Sequence, residues 1–256
     1  MAVASGTFRH PTGRGVAITA AWVALTIAAY VFNGIADLDG DRANGSPRPL
    51  ASGRLSMRTA YAWCALLAIA GLAGCWALGP ASGMAGTASL ALGVAYSVGP
   101  NLKRSALAAG FSVATAAALT YVAGALTCHA SAGMVAVFTV WAAWIGVVSV
   151  VKDLSDVAGD RLEGRRTLPV LLGPVRAAWA TVVAAACCAA GFVVTVWLLA
   201  PSALLVAWVV SGGSALLVAT LAAVRPGQDR HTLRRPYRTF MVTQFGVNLV
   251  FLLYLP

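Results

Sequence analysis

The sequence predicts an all-α fold, a polytopic bundle of membrane-spanning helices, from three observations. Of its 256 residues, 59% are hydrophobic and only 10% charged, and the mean hydropathy of +0.80 is far above what a soluble domain needs. Several apolar runs reach the roughly 20 residues required to cross about 30 Å of hydrocarbon. The basic residues collect in every second connection between those runs, as in a chain threaded back and forth through a bilayer.

About eight spans follow in order, near 16–36, 57–78, 81–98, 105–127, 132–152, 175–199, 202–224 and 238–255. The runs are continuous and rich in Ala, Gly and Leu, with short breaks at Gly79-Pro80 and Ala200-Pro201, whereas a β-barrel would show short alternating segments. Residues 1–256 are read as one domain. Sixteen of the 18 basic residues lie in four segments: Arg42 to Arg58, Lys103 with Arg104, Lys152 to Arg176, and Arg225 to Arg238. With eight alternating spans these emerge on one face, which the positive-inside rule makes cytoplasmic. The expected location is a bacterial plasma membrane; the excess of Arg over Lys (16 to 2) and the abundance of Ala fit a high-GC bacterial genome as well as any functional cause. The net charge of +10 therefore reports topology and anionic lipid or substrate, and no nucleic-acid partner is expected. The same count leaves the N-terminus, with Arg9 and Arg14, on the opposite face. A further helix upstream would restore it, so a truncated, wrongly started or shortened chain is expected.

Cys64, Cys75, Cys128, Cys187 and Cys188 lie mostly in or beside spans and form no CxxC, which argues against metal or disulfide chemistry. His10, His129 and His231 are isolated and receive no catalytic role. Residues 1–15 are mostly polar or small, unlike a cleaved signal, and the next apolar run leads directly into the first acidic motif.

Chemistry concentrates in the acids. Seven of the eight fall in two short segments, Asp37, Asp39, Asp41 and Asp153, Asp156, Asp160, Glu163, with Asp229 apart. A charge near the membrane core costs on the order of 2.5–3.5 kcal/mol, so clustered acids at span ends are functional candidates. Spacing of i, i+4, i+8 places Asn33, Asp37 and Asp41 on one helical face, and i, i+3, i+7 does the same for Asp153, Asp156 and Asp160. Both segments carry Asp-x-x-Gly-Asp-Arg-x-x-Gly, from Asp37 to Gly45 and from Asp156 to Gly164, an offset of 119 residues. That predicts an internal repeat with two facing half-sites. A single row could be a helix-end cluster paired with neighbouring arginines. An EF-hand is disfavoured, since the loop from Asp37 has Arg42 where Gly is needed and Arg48 where the bidentate Glu belongs. A proton or cation relay would not explain the adjacent cations Arg42, Arg48, Arg54, Lys103, Arg104, Lys152, Arg161, Arg165 and Arg166. Carboxylate rows inside a ring of cations suit a magnesium–polyanion complex, because Mg2+ prefers oxygen ligands and bridges carboxylates to phosphates, while Arg and Lys neutralise the rest.

Asn33-x-x-x-Asp37-x-x-x-Asp41, followed by Arg48-Pro-Leu-Ala-Ser-Gly-Arg54, resembles the first signature of the UbiA prenyltransferase superfamily. Lys152-Asp153-x-x-Asp156-x-x-x-Asp160, followed by Gly164-Arg-Arg-Thr-Leu-Pro169-Val-Leu-Leu-Gly173, resembles the second. Tyr96-Ser97-Val-Gly-Pro100-Asn-Leu-Lys103-Arg104 is similar to the family's connection between its fourth and fifth helices. The resemblance implies nine transmembrane helices around a central cavity, of which the first is missing here, and departs at Gly110-Phe111, where many members have Gly-Asn.

It further implies Mg2+-dependent transfer of a prenyl group from a prenyl diphosphate to an aromatic or alcohol acceptor. Asp37, Asp41, Asp156 and Asp160 would be catalytic. Asn33 and Asp153 would join those four as metal ligands. Asn33, Arg42, Arg54, Lys103, Arg104, Lys152 and Arg161 would contact the substrate. The shared motifs leave open a terpene cyclase, in which no acceptor enters, and a non-catalytic lipid-binding or transport protein. Tyr61, Trp63, Phe111, Tyr121, Trp141 and Trp144 are either aromatic cavity residues able to stabilise a cation or lipid-facing and packing residues.

Overall fold

The computed structural model describes residues 13–127 and 130–254, so Arg9, His10, Cys128 and His129 lie outside it. The chain runs α1 (Gly13–Ala36), α2 (Leu38–Ala43), α3 (Met57–Ala77), α4 (Pro80–Ser97), α5 (Ala106–Thr127), α6 (Ala132–Val148), α7 (Val157–Leu162), α8 (Leu168–Leu172), α9 (Pro174–Leu199), α10 (Leu204–Ala222), α11 (Arg230–Leu233) and α12 (Arg235–Tyr254). Tight 3-10 turns cover Leu102–Arg104, Ser149–Ser155 and Pro201–Ala203. The eight long helices coincide with the eight expected spans. Six, beginning at Gly13, Met57, Ala106, Ala132, Pro174 and Pro201, are long and apolar enough to cross a bilayer. The other two are α4, rich in Gly and Ser, and α12, which begins with Arg235 and Arg238. The chain is an integral membrane protein.

Local chemistry sets the helix ends. The hydroxyls of Ser56 and Ser131 accept from the amides of Thr59 (3.1 Å) and Met134 (3.3 Å), capping α3 and α6. Proline opens α4 and α9, where no amide proton is needed. Along the spans, hydroxyls of Thr19, Thr26, Ser112, Thr120 and Thr181 donate to the carbonyl four residues back at 2.7–2.8 Å, which leaves no bare donor in an apolar setting. At the end of the bundle away from the acidic motifs, Arg14 donates to Leu78 O (2.7 Å), satisfying a carbonyl at the end of α3.

The main core belongs to the second half of the chain, where Tyr121, Phe138, Trp141, Trp144, Phe192, Phe240 and Phe251 are buried together. A smaller cluster around Ile18, Trp22, Leu25 and Cys75 joins α1 to α3, and Trp22 Nε1 donates to Thr120 Oγ1 (3.0 Å), tying α1 to α5. Of the six aromatics singled out in the sequence, Tyr121, Trp141 and Trp144 are consumed by this core, with Trp141 and Trp144 stacked at 4.8 Å. Trp63 and Phe111 are exposed. Tyr61 and Phe32 line an apolar cleft of about 240 Å3 between α1, α3 and α4.

The core contains a linked polar group in which Tyr121 donates to Asn248 Oδ1 (2.6 Å) and accepts from Trp141 Nε1 (3.0 Å). Tyr121→Phe takes this partner from the buried Trp141 Nε1 and the part-buried Asn248. It is expected to cost about 1–3 kcal/mol, read as a lowered midpoint of thermal unfolding in detergent. An unchanged midpoint would show that the network contributes nothing net.

Candidate active site

The two acidic motifs fold alike, residue for residue. After α1, the chain turns at Asp37 and restarts as α2; after the 3-10 turn 149–155 it turns at Asp156 and restarts as α7. Backbone bonds repeat at matching positions: Asp41 N to Asp37 O and Asp160 N to Asp156 O, Gly45 N to Arg42 O and Gly164 N to Arg161 O, Ser46 N to Asp41 O and Arg165 N to Asp160 O. Both turns close on a glycine of positive φ, +60° at Gly45 and +66° at Gly164, a conformation that side chains with a Cβ adopt at a cost. The short helices then pack reciprocally. Asn44 lies against Gly159 and accepts its amide proton (3.1 Å), while Glu163, the equivalent of Asn44, lies against Gly40, the equivalent of Gly159. A Cβ on either glycine would collide with that side chain. The internal repeat read from the sequence is a physical pseudo-symmetry, and the half-sites face each other.

At the centre is Asp37. Its Oδ2 accepts from Asn33 Nδ2 (2.9 Å), and Asn33 Oδ1 in turn accepts from Ser97 (3.1 Å). Its Oδ1 accepts from the ammonium of buried Lys103 and from Arg165 Nη2 (2.6 Å). These two cations arrive from loops that are zipped together: Arg166 N donates to Arg104 O (2.6 Å), Ala106 N donates to Arg166 O (3.2 Å), and Ser105 and Arg166 form an isolated parallel bridge. Arg165 also reaches Asp160 Oδ1 (3.5 Å) and pairs with Glu163 Oε2, and so spans both halves. Burial alone would push the Asp37 carboxyl up, but Arg165 and Lys103 together outweigh it and hold the group below its ordinary value. For Asp160 burial wins against Arg165 and the Thr167 hydroxyl (3.1 Å), and its carboxyl is raised. The Arg165 guanidinium is held above its ordinary value by Asp37, Glu163 and Asp160, against the pull of burial.

The remaining expected residues divide. Asp41 pairs with Arg48 (2.8 Å). Asp156 pairs with Arg230 (3.0 Å), which also donates to Ser155 O (3.3 Å). Asp153 is buried, and Lys152 donates to Tyr96 OH (3.2 Å). Arg42, Arg104 and Arg161 are exposed, and Arg54 turns back on its own loop, onto Ser52 (3.1 Å) and Pro47 O (2.7 Å). Of the cations expected to contact substrate, Lys103 therefore reaches the central carboxylate, while these four arginines do not meet it here.

One expectation is corrected. The i, i+3, i+7 spacing does not carry Asp153, Asp156 and Asp160 along one α-helical face, because residues 149–155 wind as a 3-10 helix, the chain turns at Asp156, and Asp156 and Asp160 are drawn to Arg230 and Arg165. Among the described residues no three acidic, His or Cys side chains stand within reach of one cation. The sequence reading named Arg165 only among the neighbouring cations and passed over Arg230; their positions after the second motif and before α12 gave no spacing signal. The donor set itself, carboxylate and amide oxygens on two facing half-sites, fits a hard divalent cation.

The family model described as the UbiA prenyltransferase family matches residues 1–245. Digeranylgeranylglyceryl phosphate synthase of Halobacterium salinarum is 32% identical over 177 residues, 68% of this chain and 62% of that protein. The enzyme of the same name from Ignicoccus hospitalis is 29% identical over 235 residues, 89% of this chain and 77% of its own length. The match to the first thus spans less than two thirds of the relative. Among solved structures, a UbiA homolog from Archaeoglobus fulgidus bound to GPP and Mg2+ superposes with a TM-score of 0.73 at 18% identity, covering 98% of this chain and 93% of that one. The apo UbiA homolog from Aeropyrum pernix gives 0.65 at 22% identity, covering 97% of each.

Proposed function

Since the chain belongs to the UbiA prenyltransferase family, we propose that it transfers a prenyl group from a prenyl diphosphate to an acceptor at the membrane, with Mg2+ as the metal. The observation that carries this reading is the pair of pseudo-symmetric acidic turns, Asp37 to Gly45 and Asp156 to Gly164, joined through Arg165 with Lys103 beside them. The names of the relatives support an alcohol acceptor carrying phosphate, of the glyceryl phosphate class. The four basic segments support a cytoplasmic position for this face by the positive-inside rule.

Asn33, Asp37, Asp41, Asp153, Asp156 and Asp160 would hold Mg2+, which when bound offsets charge on the departing diphosphate. Lys103 presents positive charge to the diphosphate oxygens and stabilises them as the allylic C–O bond ionises. Arg42, Arg54, Arg104 and Arg161, on the exposed side, would contact the outer phosphate, and Lys152, held by Tyr96, would close the second half-site. The apolar helices take the prenyl tail and keep water from the cation. The acceptor hydroxyl oxygen attacks the allylic carbon and its proton leaves to solvent or diphosphate.

The test is incubation of the purified protein with geranyl, farnesyl and geranylgeranyl diphosphates and Mg2+, with and without glycerol phosphate derivatives and aromatic acceptors. Mass spectrometry reads the products. A prenylated adduct that requires the acceptor and disappears on chelation is expected. A cyclic hydrocarbon formed without acceptor would replace the transferase with a cyclase; no diphosphate release under any condition would replace it with a lipid-binding role.

A further inference from the structure

Arg165 occupies an unusual place for a residue beside a cation site. Its guanidinium is inserted between the half-sites, bonded to Asp37 of the first and ion-paired with Asp160 of the second, and is about one-eighth exposed. Its Nε is buried with no partner, so this fit is incomplete: one donor is given up to keep the two carboxylates bridged. The side chain has a third anchor, Glu163, on its own turn. Glu163 packs on Gly40 of the opposite half, and its pseudo-symmetric counterpart is the uncharged Asn44. The extra acid and the extra cation therefore belong to one turn and break the symmetry together.

We propose that Arg165 is a built-in counter-cation: it holds the facing acidic turns together while no divalent cation is bound, and yields Asp37 and Asp160 to the cation as it loads, staying tethered to Glu163. Arg165 is a positioning residue, acting through those carboxylates. Two full positive charges compete for the same oxygens, so its removal strengthens cation binding, whereas removal of Glu163 strands the displaced guanidinium and weakens it. A merely structural arginine would move both in the same direction. This rests on the cation site proposed above.

The experiment is binding of Mn2+ alone to the full chain in detergent, followed by the electron paramagnetic resonance signal of free Mn2+, with no diphosphate present. Arg165→Gln is expected to bind about tenfold more tightly than the wild type, the scale of one partly buried charge pair. Arg165→Lys should stay within about threefold, and Glu163→Gln should bind several-fold more weakly. Equal or weaker binding by Arg165→Gln overturns the inference, and if that variant does not fold, unchanged or tighter binding by Glu163→Gln does so. An Asp37→Ala, Asp160→Ala double variant separates the two readings: Mn2+ binding that survives it sinks the cation site itself, and the inference with it.

Discussion

Asp37→Ala is expected to lower release of diphosphate from a prenyl diphosphate by about 10²–10³-fold, the scale seen when one preorganised charge-stabilising group is lost. Asp37 is the point where both halves meet: Asn33 orients one oxygen, while Lys103 and Arg165 share the other. The substitution also leaves a buried ammonium and a largely buried guanidinium without their anion, which is expected to cost about 3–5 kcal/mol. Lost activity could then be lost fold, so two further variants separate these effects. Asp37→Asn keeps the shape of the side chain but also removes the anion, so its activity is read against its own unfolding midpoint, whereas Asp156→Ala removes an acid about one-third exposed whose partner Arg230 can turn to solvent. Asp156→Ala is expected to stay folded by thermal unfolding in detergent and to lose activity by a similar factor. Folded variants within tenfold of wild-type turnover would remove these acids from the chemistry.

Gly146→Val is expected to destabilise the bundle by about 3 kcal/mol, the upper range for overpacking a tight contact. A Cβ at Gly146 would lie 2.5 Å from Gly110 O and 2.8 Å from Ala114 N, backbone atoms of α5 that cannot rotate away. Small residues let helices approach this closely in a membrane, where van der Waals packing replaces the hydrophobic drive. The same geometry predicts an order: a Cβ at Gly110 meets Gly146 O at a more tolerant 3.3 Å, so Gly110→Ala should lower the unfolding midpoint less than Gly146→Ala. Equal midpoints for the two would contradict a backbone clash as the cause. The crossing bears on the site because α5 follows the loop of Lys103, and α6 leads into Lys152 and Asp153. Phe111 beside it is exposed and has no part in this contact.

Much of this was legible beforehand for definite reasons. Span positions follow from local composition, so the expected 57–78 and 175–199 became Met57–Ala77 and Pro174–Leu199 within a residue. The repeat was legible because each turn needs its own glycine and acids at set spacing. The 3-10 winding of Ser149–Ser155 was not, since apolar residues there satisfy either helix type and only packing selects between them. Nor was the fate of the aromatics: Trp141 and Phe111 read alike in sequence, and the neighbours brought by α9 and α12 put one in the core and left the other exposed.

The sequence by itself determined an all-helical membrane bundle, its basic face and two matched acidic turns. Each of these depends on interactions within a few residues or on the length of hydrocarbon to be crossed. Only the tertiary structure decided which cation meets which acid. Lys103 and Arg165 converge on Asp37 from positions 66 and 128 residues away, while nearer Arg42 faces outward. Charge acts through space, so the partner of a carboxylate is fixed by how loops pack and by what burial leaves in reach.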